Sequence, residues 1–186
     1  IANGSLTQGV PTISIPDQET VDRLKKIILK GTSLKKRGGI DYAVSKIIRT
    51  GHQENPLTKA LRLLNLMGKR AESKTIPQIY RFNSLPIRRA LLQGLMDGDG
   101  SVSDNNLEYT TASRKLAGHV CELVQSLGGT ARLKIRKEPK FTYKGEKKIG
   151  QPSYRINIAL PNKEVPFKLN RKARNYYART KYLPSR

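Results

Sequence analysis

The run Leu91-Leu92-Gln93-Gly94-Leu95-Met96-Asp97-Gly98-Asp99-Gly100-Ser101 holds the residues best suited to chemistry. Pro86, a favoured first helical position, predicts a helix that starts there and runs into the Asp97-Gly98-Asp99 turn. Gly94 and Gly98 lie four apart on one helical face, so two such helices could approach backbone to backbone. Asp99 falls at the helix C-terminus, where the dipole disfavours a carboxylate. An acid placed there calls for a cation, and a divalent metal is the obvious one. A helix ending in a solvated Gly-Asp-Gly turn is the alternative that spacing alone leaves open.

The elements that position this run are those of a folded, strongly basic chain. Its 186 residues carry 36 Lys and Arg against 14 Asp and Glu, a net charge of +22. With 27% charged and 37% hydrophobic residues it reads as globular, and so large a self-repulsion points to a polyanionic partner, most often nucleic acid. No apolar run approaches a transmembrane span or a signal-peptide core. One cysteine excludes an internal disulfide and fits a reducing, cytoplasmic compartment. One cysteine and two histidines cannot assemble a zinc finger or a zinc-activated nuclease centre. Neither His52 nor His119 lies near a nucleophile elbow, and there is no Gly-x-x-x-x-Gly-Lys-Ser/Thr phosphate loop. His119 and Cys121, two apart near the apolar face of a helix, read as packing residues rather than metal ligands. His52 supports no hypothesis.

Periodicity predicts a first helix capped by Asp17, with Val21, Leu24, Ile27 and Ile28 as its stripe and Gly31 as its stop. A basic turn over 34–39 follows, then a strand over 41–49 with Tyr42, Val44 and Ile48 on one side. A helix after Pro56 carries Leu57, Leu61, Leu64 and Met67 and stops at Gly68. After the helix from Pro86 come a strand over 107–112 and a helix capped by Ser113, with stripe Leu116, Val120, Leu123, Val124 and Leu127. Strands over 131–137 and 153–160 are joined by a Lys-rich hairpin, and a basic helix lies near 168–179. The two halves repeat one order: Asn3-Gly4-Ser5-Leu6 matches Asp99-Gly100-Ser101-Val102, and Ser73-Lys74-Thr75-Ile76-Pro77 matches Thr180-Lys181-Tyr182-Leu183-Pro184. The repeat divides the chain into 1–83 and 84–186. Both ends read as an excerpt from a longer polypeptide.

Residues 92–100 resemble the nine-residue signature of the LAGLIDADG homing endonucleases, with Gln93, Met96 and Gly98 at positions where that family varies. Lys74-Thr75-Ile76-Pro77 resembles the Lys-x-Ile-Pro element before the second signature of intein-borne members, and Asn3-Gly4-Ser5-Leu6 resembles the tail of the first signature. The resemblance implies an α+β fold of two pseudo-symmetric αββαββα units, acting as a monomer, whose sheets form a saddle over double-stranded DNA. It implies cleavage of phosphodiester bonds with Mg²⁺ (or Mn²⁺), Asp99 being a metal-binding catalytic acid and the Gly98 carbonyl a second ligand. Lys74, and by the repeat Lys181, would be the basic residues near the attacking water or phosphate, with Lys172 a rival for the second role. The departure is Asn3, where the family carries a metal-binding acid; asparagine offers an oxygen but no charge, so one of the two sites would be impaired. Inteins of this kind often sit in replication and repair proteins, so a replicative helicase is a candidate parent.

The strands carry the binding expectation. Arg132, Lys134 and Arg136 alternate with Ala131, Leu133 and Ile135, and Arg155 and Asn157 alternate with Tyr154, Ile156 and Ile158. With period 2 the apolar set lies against helices, and the Arg/Lys/Asn set faces outward in a ribbon that suits the major groove. From 132 to 186 there are 17 basic and 3 acidic side chains. Lys144, Lys147 and Lys148 in the hairpin would contact phosphates, as would Lys35, Lys36, Arg37, Lys46 and Arg49 in the first half. A DNA-binding, maturase-like module without cleavage and a basic RNA-binding protein are the competing readings.

Overall fold

The basic run expected as a turn is a strand. In the structure, a computed structural model describing residues 4–7, 9–48, 53–103, 106–161 and 164–180, the first unit comprises β1 (Gly4–Ser5), β2 (Thr12–Ser14), α1 (Gln18–Ile27), β3 (Thr32–Gly38), β4 (Asp41–Lys46) and α2 (Pro56–Leu63). Its antiparallel sheet has the order β1-β2-β4-β3. The reversal into β4 is confined to the end of the expected turn, at Gly39, whose φ of +49° suits glycine. Charged residues persist in β3 because its outer part is open to water.

Leu6, Ile15, Val21, Val44 and Leu66 form this unit's core. The α1 stripe is narrower than predicted. Only Val21 is buried, and Ile27 is 76% exposed because the helix ends there and Ile28 turns extended. Asn55 caps α2, accepting from the Leu57 N–H at 2.9 Å, and ties it to β4 by donating to the Val44 carbonyl at 2.7 Å. That helix stops at Leu63, short of Gly68, because Asn65 already takes a positive φ of 54°.

The second unit comprises α3 (Gln78–Arg81), α4 (Leu85–Asp99), β5 (Gly100–Ser103), β6 (Asn106–Thr111), α5 (Arg114–Ser126), β7 (Thr130–Arg136), the hairpin β8 (Lys140–Tyr143) and β9 (Glu146–Ile149), β10 (Ser153–Ala159) and α6 (Asn170–Thr180). Its main sheet runs β5-β6-β10-β7, all antiparallel. With the β8–β9 hairpin set aside, both sheets read first, second, fourth, third strand, so the repeat seen in sequence is a repeat of topology. The fold is α+β.

The helix α5 follows its prediction closely. Ser113 caps it, accepting from the Leu116 N–H at 3.1 Å, and Leu116, Val120, Leu123, Val124 and Leu127 are all buried. They pack against β6, β7 and β10 together with Leu107, Tyr109, Ile156 and Ile158. The repeat places a boundary at 83/84, whereas packing divides the chain between Arg70 and Ala71. Residues 71–83 join the second unit, with Ile76 buried there. No helix among the described residues is long and apolar enough to cross a membrane.

Candidate active site and nucleic-acid interface

The end of α4 is shaped by Gly100. A Cβ there would lie 2.6 Å from the Met96 carbonyl oxygen and 2.7 Å from its Cα, so only glycine lets the helix turn directly into β5. Leu92, Leu95 and Met96 bury the inner face of α4 and fix its rotation, which sends Asp97 and Asp99 in different directions.

Asp97 has a structural partner. Its Oδ1 accepts from the backbone N–H groups of Lys168 and Leu169, at 3.0 and 3.1 Å, just before α6 begins. In return α6 supplies Lys172, whose Nζ donates to the carbonyls of Met96 (3.0 Å), Asp97 (2.7 Å) and Gly100 (2.7 Å). A helix leaves its last carbonyls without partners, and a cation suits that end. A lysine therefore meets the need for positive charge at these carbonyls, and Lys172 stands at the end of α4.

Asp99 is half-buried. Burial pushes its carboxyl above the usual carboxylate range, while the neighbouring charges of Lys74 and Lys172 pull it back. Burial pushes the Lys74 ammonium below the ordinary lysine value, against the opposing charge of Asp99. The fold thus brings Asp99, Gly98, Lys74 and Lys172 to one end of α4. Tyr109, directly opposite Gly100 in the β5–β6 register, is fully buried, and its hydroxyl faces Asp99 without completing a hydrogen bond of regular geometry. Burial and the Asp99 charge hold that phenol far above its ordinary range, so it is a donor. Sequence reasoning missed Tyr109, because the glycine opposite it is visible only once the register is known.

These residues fit a hard divalent cation. A half-buried carboxylate whose neighbouring ammonium does not overcome its desolvation favours a further positive charge, and an unsatisfied buried hydroxyl beside it suits a metal-bound water. No group of three or more His, Cys, Asp or Glu that could hold a metal ion occurs among the described residues. Cys121 is half-buried, and burial and the neighbouring Glu122 charge raise its thiol, which disfavours the thiolate. Asn3, Arg49, His52 and Lys181 lie outside the described residues.

The second unit's sheet presents the expected polar face. Cross-strand rows run Thr110–Arg155–Lys134 and Glu108–Asn157–Arg132, with Arg136 opposite Ser153. Arg155 is held by Glu108 at 3.2 Å. The opposite face differs from expectation along β7, where Leu133 and Ile135 are 41% and 51% exposed, because this is the edge strand and its far end is left uncovered. Lys144, Lys147 and Lys148 are exposed on the β8–β9 hairpin, with Lys144 and Lys148 at 5.6 and 5.1 Å from the Tyr143 ring centre. In the first unit Lys35 pairs with Ala43 on one face. Lys36 and Lys46, by their pairing with Tyr42 and Thr32, lie on the face of Leu34 and Val44 instead. Period 2 separates them from Lys35, and Lys46 donates to the Gln53 carbonyl. Arg37 sits in the irregularity between Lys36 and Gly38.

Residues 86–158 match the family described as LAGLIDADG-like domain. A DNA polymerase of Thermococcus kodakarensis is 32% identical over 138 residues, covering 70% of this chain and 7% of the polymerase. A DNA polymerase of Thermococcus sp. (strain GE8) is 27% identical over 162 residues, which is 87% of this chain and 8% of that polymerase. The replicative DNA helicase DnaB of Mycobacterium intracellulare is 34% identical over 104 residues, 50% of this chain and 17% of the helicase. The chain therefore spans less than a fifth of each of these relatives. Among solved structures, I-DmoI in complex with DNA and Ca matches with a TM-score of 0.54 at 12% identity, covering 95% of this chain and 90% of that one. I-DmoI in complex with DNA and Mn gives 0.51 at 12% identity, over 81% and 73%. These likenesses establish the fold.

Proposed function

We propose, from the premise that residues 86–158 are a LAGLIDADG-like domain, that this chain is the DNA-binding endonuclease part of an intein, a site-specific endodeoxyribonuclease using Mg²⁺ or Mn²⁺. The observation that carries the reading is the end of α4. A half-buried Asp99 stands beside Lys74, with desolvation shifting both groups toward neutrality. Such paired perturbation is common at catalytic sites. The replication proteins among its relatives, each matched over a small share of its length, suit a domain inserted into a host.

When bound, a divalent cation would supply a Lewis acid and an activated water at the scissile phosphate. Asp99, with the Gly98 carbonyl, would hold it. The Tyr109 hydroxyl, which faces Asp99, would donate to its carboxyl or to a water held there and so orient it. The Lys74 ammonium, carried on the segment before α3, would serve the phosphate oxygens or the attacking water. Arg132, Lys134, Arg136 and Arg155 meet the backbone, and Asn157 reads base edges. The protein works as a monomer, in the prokaryotic cytosol or on the nucleoid.

Asn3 favours a second reading. Without its charge the partner site is weakened, so the chain either nicks one strand or binds without cutting. Duplexes enriched by binding from a randomised pool, then incubated with Mg²⁺, decide the matter. Nicks dependent on Asp99 are expected in wild type, and breaks in both strands after Asn3→Asp. Tight binding with no cleavage in either protein would leave a binding module, and preference for structured RNA at the same salt would remove the DNA reading altogether.

A further inference from the structure

The segment bearing Lys74 is gripped from one side by α5 and its cap. Ser113 Oγ donates to the Lys74 carbonyl at 2.7 Å while accepting the capping hydrogen bond from the Leu116 N–H, and the residue is fully buried. Two residues along, the Ile76 N–H donates to Nδ1 of His119 at 3.1 Å, and the Ile76 side chain is 2% exposed. One rigid helix thus holds the main chain on both sides of Thr75. Nothing in a packing role requires His119 to offer an acceptor, and nothing in a cap requires Ser113 to reach a second strand of chain.

We propose that Ser113 and His119 are positioning residues: together they set the backbone at Lys74 and Ile76 so that the Lys74 ammonium stands at Asp99, and His119 does this only while its Nδ1 is unprotonated. The use made of the ammonium rests on the endonuclease reading above; the grip itself does not. Because Nδ1 accepts, the ring proton of neutral His119 is on Nε2. A second proton would set a donor against the Ile76 donor. Burial opposes that proton most, followed by Arg81 from α3; Glu122 on α5 favours it and Lys115 on α5 opposes it. Arg81 is itself paired with Glu122 at 2.5 Å. The grip is closed at neutral pH and opens as the solution becomes acidic, below the ordinary histidine range. A displacement of about 1 Å in a group of this kind costs ~100-fold in rate.

Asparagine places an acceptor oxygen near the position of Nδ1, so His119→Asn separates this role from packing, whereas His119→Leu keeps bulk and loses the acceptor. In the full chain, the pH midpoint of Lys74 acetylation by N-acetoxysuccinimide, read by mass spectrometry, is expected to rise toward the ordinary lysine value in His119→Leu and in Ser113→Ala, as burial of the ammonium is lost, and to stay at the wild-type midpoint in His119→Asn. In wild type, between about pH 8 and about pH 5, the Ile76 amide NMR signal should move with the midpoint of the His119 ring, and that step should vanish in His119→Asn. On the enriched duplexes, nicking by His119→Leu should fall ~100-fold with DNA affinity unchanged. If His119→Leu does not fold, the wild-type titration and His119→Asn still decide. An unaltered Lys74 midpoint in folded His119→Leu, or an Ile76 amide that ignores the ring, overturns the proposal. The expected reactivity and NMR behaviour with no cutting by wild type would keep the grip and defeat the endonuclease reading instead.

Discussion

Replacing Asp99 and Lys74 together by neutral side chains, Asp99→Asn with Lys74→Met, is expected to stabilise the second unit at pH 7. Each charge attracts the other, yet burial outweighs that attraction in both: the carboxyl sits above its ordinary range and the ammonium below its own. A raised carboxyl pKa means stability that is complete below the unfolded value of 3.8 and lost as pH rises through the folded value. A lowered ammonium pKa means stability that is complete above the unfolded value of 10.5 and lost as pH falls through the folded one. At pH 7 both charged forms therefore work against folding. Exchanging a fully buried pair for neutral groups gains ~1–4 kcal/mol. Half exposure screens this toward the lower end, about 1 kcal/mol, or about 2–4 °C in Tm for a chain of this length. Each single variant leaves the other charge without its neighbour and should gain less, so the four proteins form a cycle with a coupling of ~0.5–1 kcal/mol. Thermal unfolding followed by circular dichroism at pH 7 reads all four. A double variant less stable than wild type by about 1 kcal/mol or more would refute the claim that desolvation wins at this site.

Lys172→Met strips the donor from three carbonyls at the end of α4 and should cost about 1–3 kcal/mol by urea denaturation. Asp97→Ala should lose a similar ~1–3 kcal/mol through the orphaned Lys168 and Leu169 N–H groups while leaving Mn²⁺ binding intact by calorimetry; Asp99→Ala should abolish that binding. Gly100→Ala drives a Cβ into Met96 and should cost ~1–3 kcal/mol in the same denaturation experiment. Arg132→Gln with Lys134→Gln should flatten the slope of log Kd against log salt on duplex DNA by ~0.9 for each phosphate no longer neutralised.

Where one periodicity governed an element, the sequence already described it. The five apolar residues of α5 recur at helical spacing and all five are buried, because the helix lies across three strands and its stripe has one place to go. In β10 the alternation of Ile156 and Ile158 with Arg155 and Asn157 separates a covered face from an open one. The strand over Lys35, Lys36 and Arg37 was illegible because charged residues on a strand largely open to water leave no period. Ile27 misled for the opposite reason: it continues a helical stripe past the point where the helix ends. The use of Asp97 and Lys172 was beyond reach, since those contacts join residues 71–76 positions apart and depend on where α6 returns. The family resemblance singled out Lys74 and Asp99 separately, and no spacing in the chain foretold that they stand together.

The two acids of the signature run divide its work, and the division explains how Asp99 can be held where its charge is unfavourable. Asp97 reaches sideways to the approach of α6, and α6 returns Lys172 to the carbonyls at the end of α4, so each helix secures a terminus of the other. Gly100 then forces the chain directly into β5, whose pairing with β6 sets Tyr109 beneath the turn. Asp99 is thereby presented by a frame built from its neighbours. Burial outweighs the nearby charges and the Tyr109 hydroxyl in raising this carboxyl, so it favours further positive charge, and the frame supplies the stability that it withholds. The same reasoning assigns opposite signs to the two acids: loss of Asp97 should loosen the fold and spare the metal, and loss of Asp99 should spare the fold and remove it.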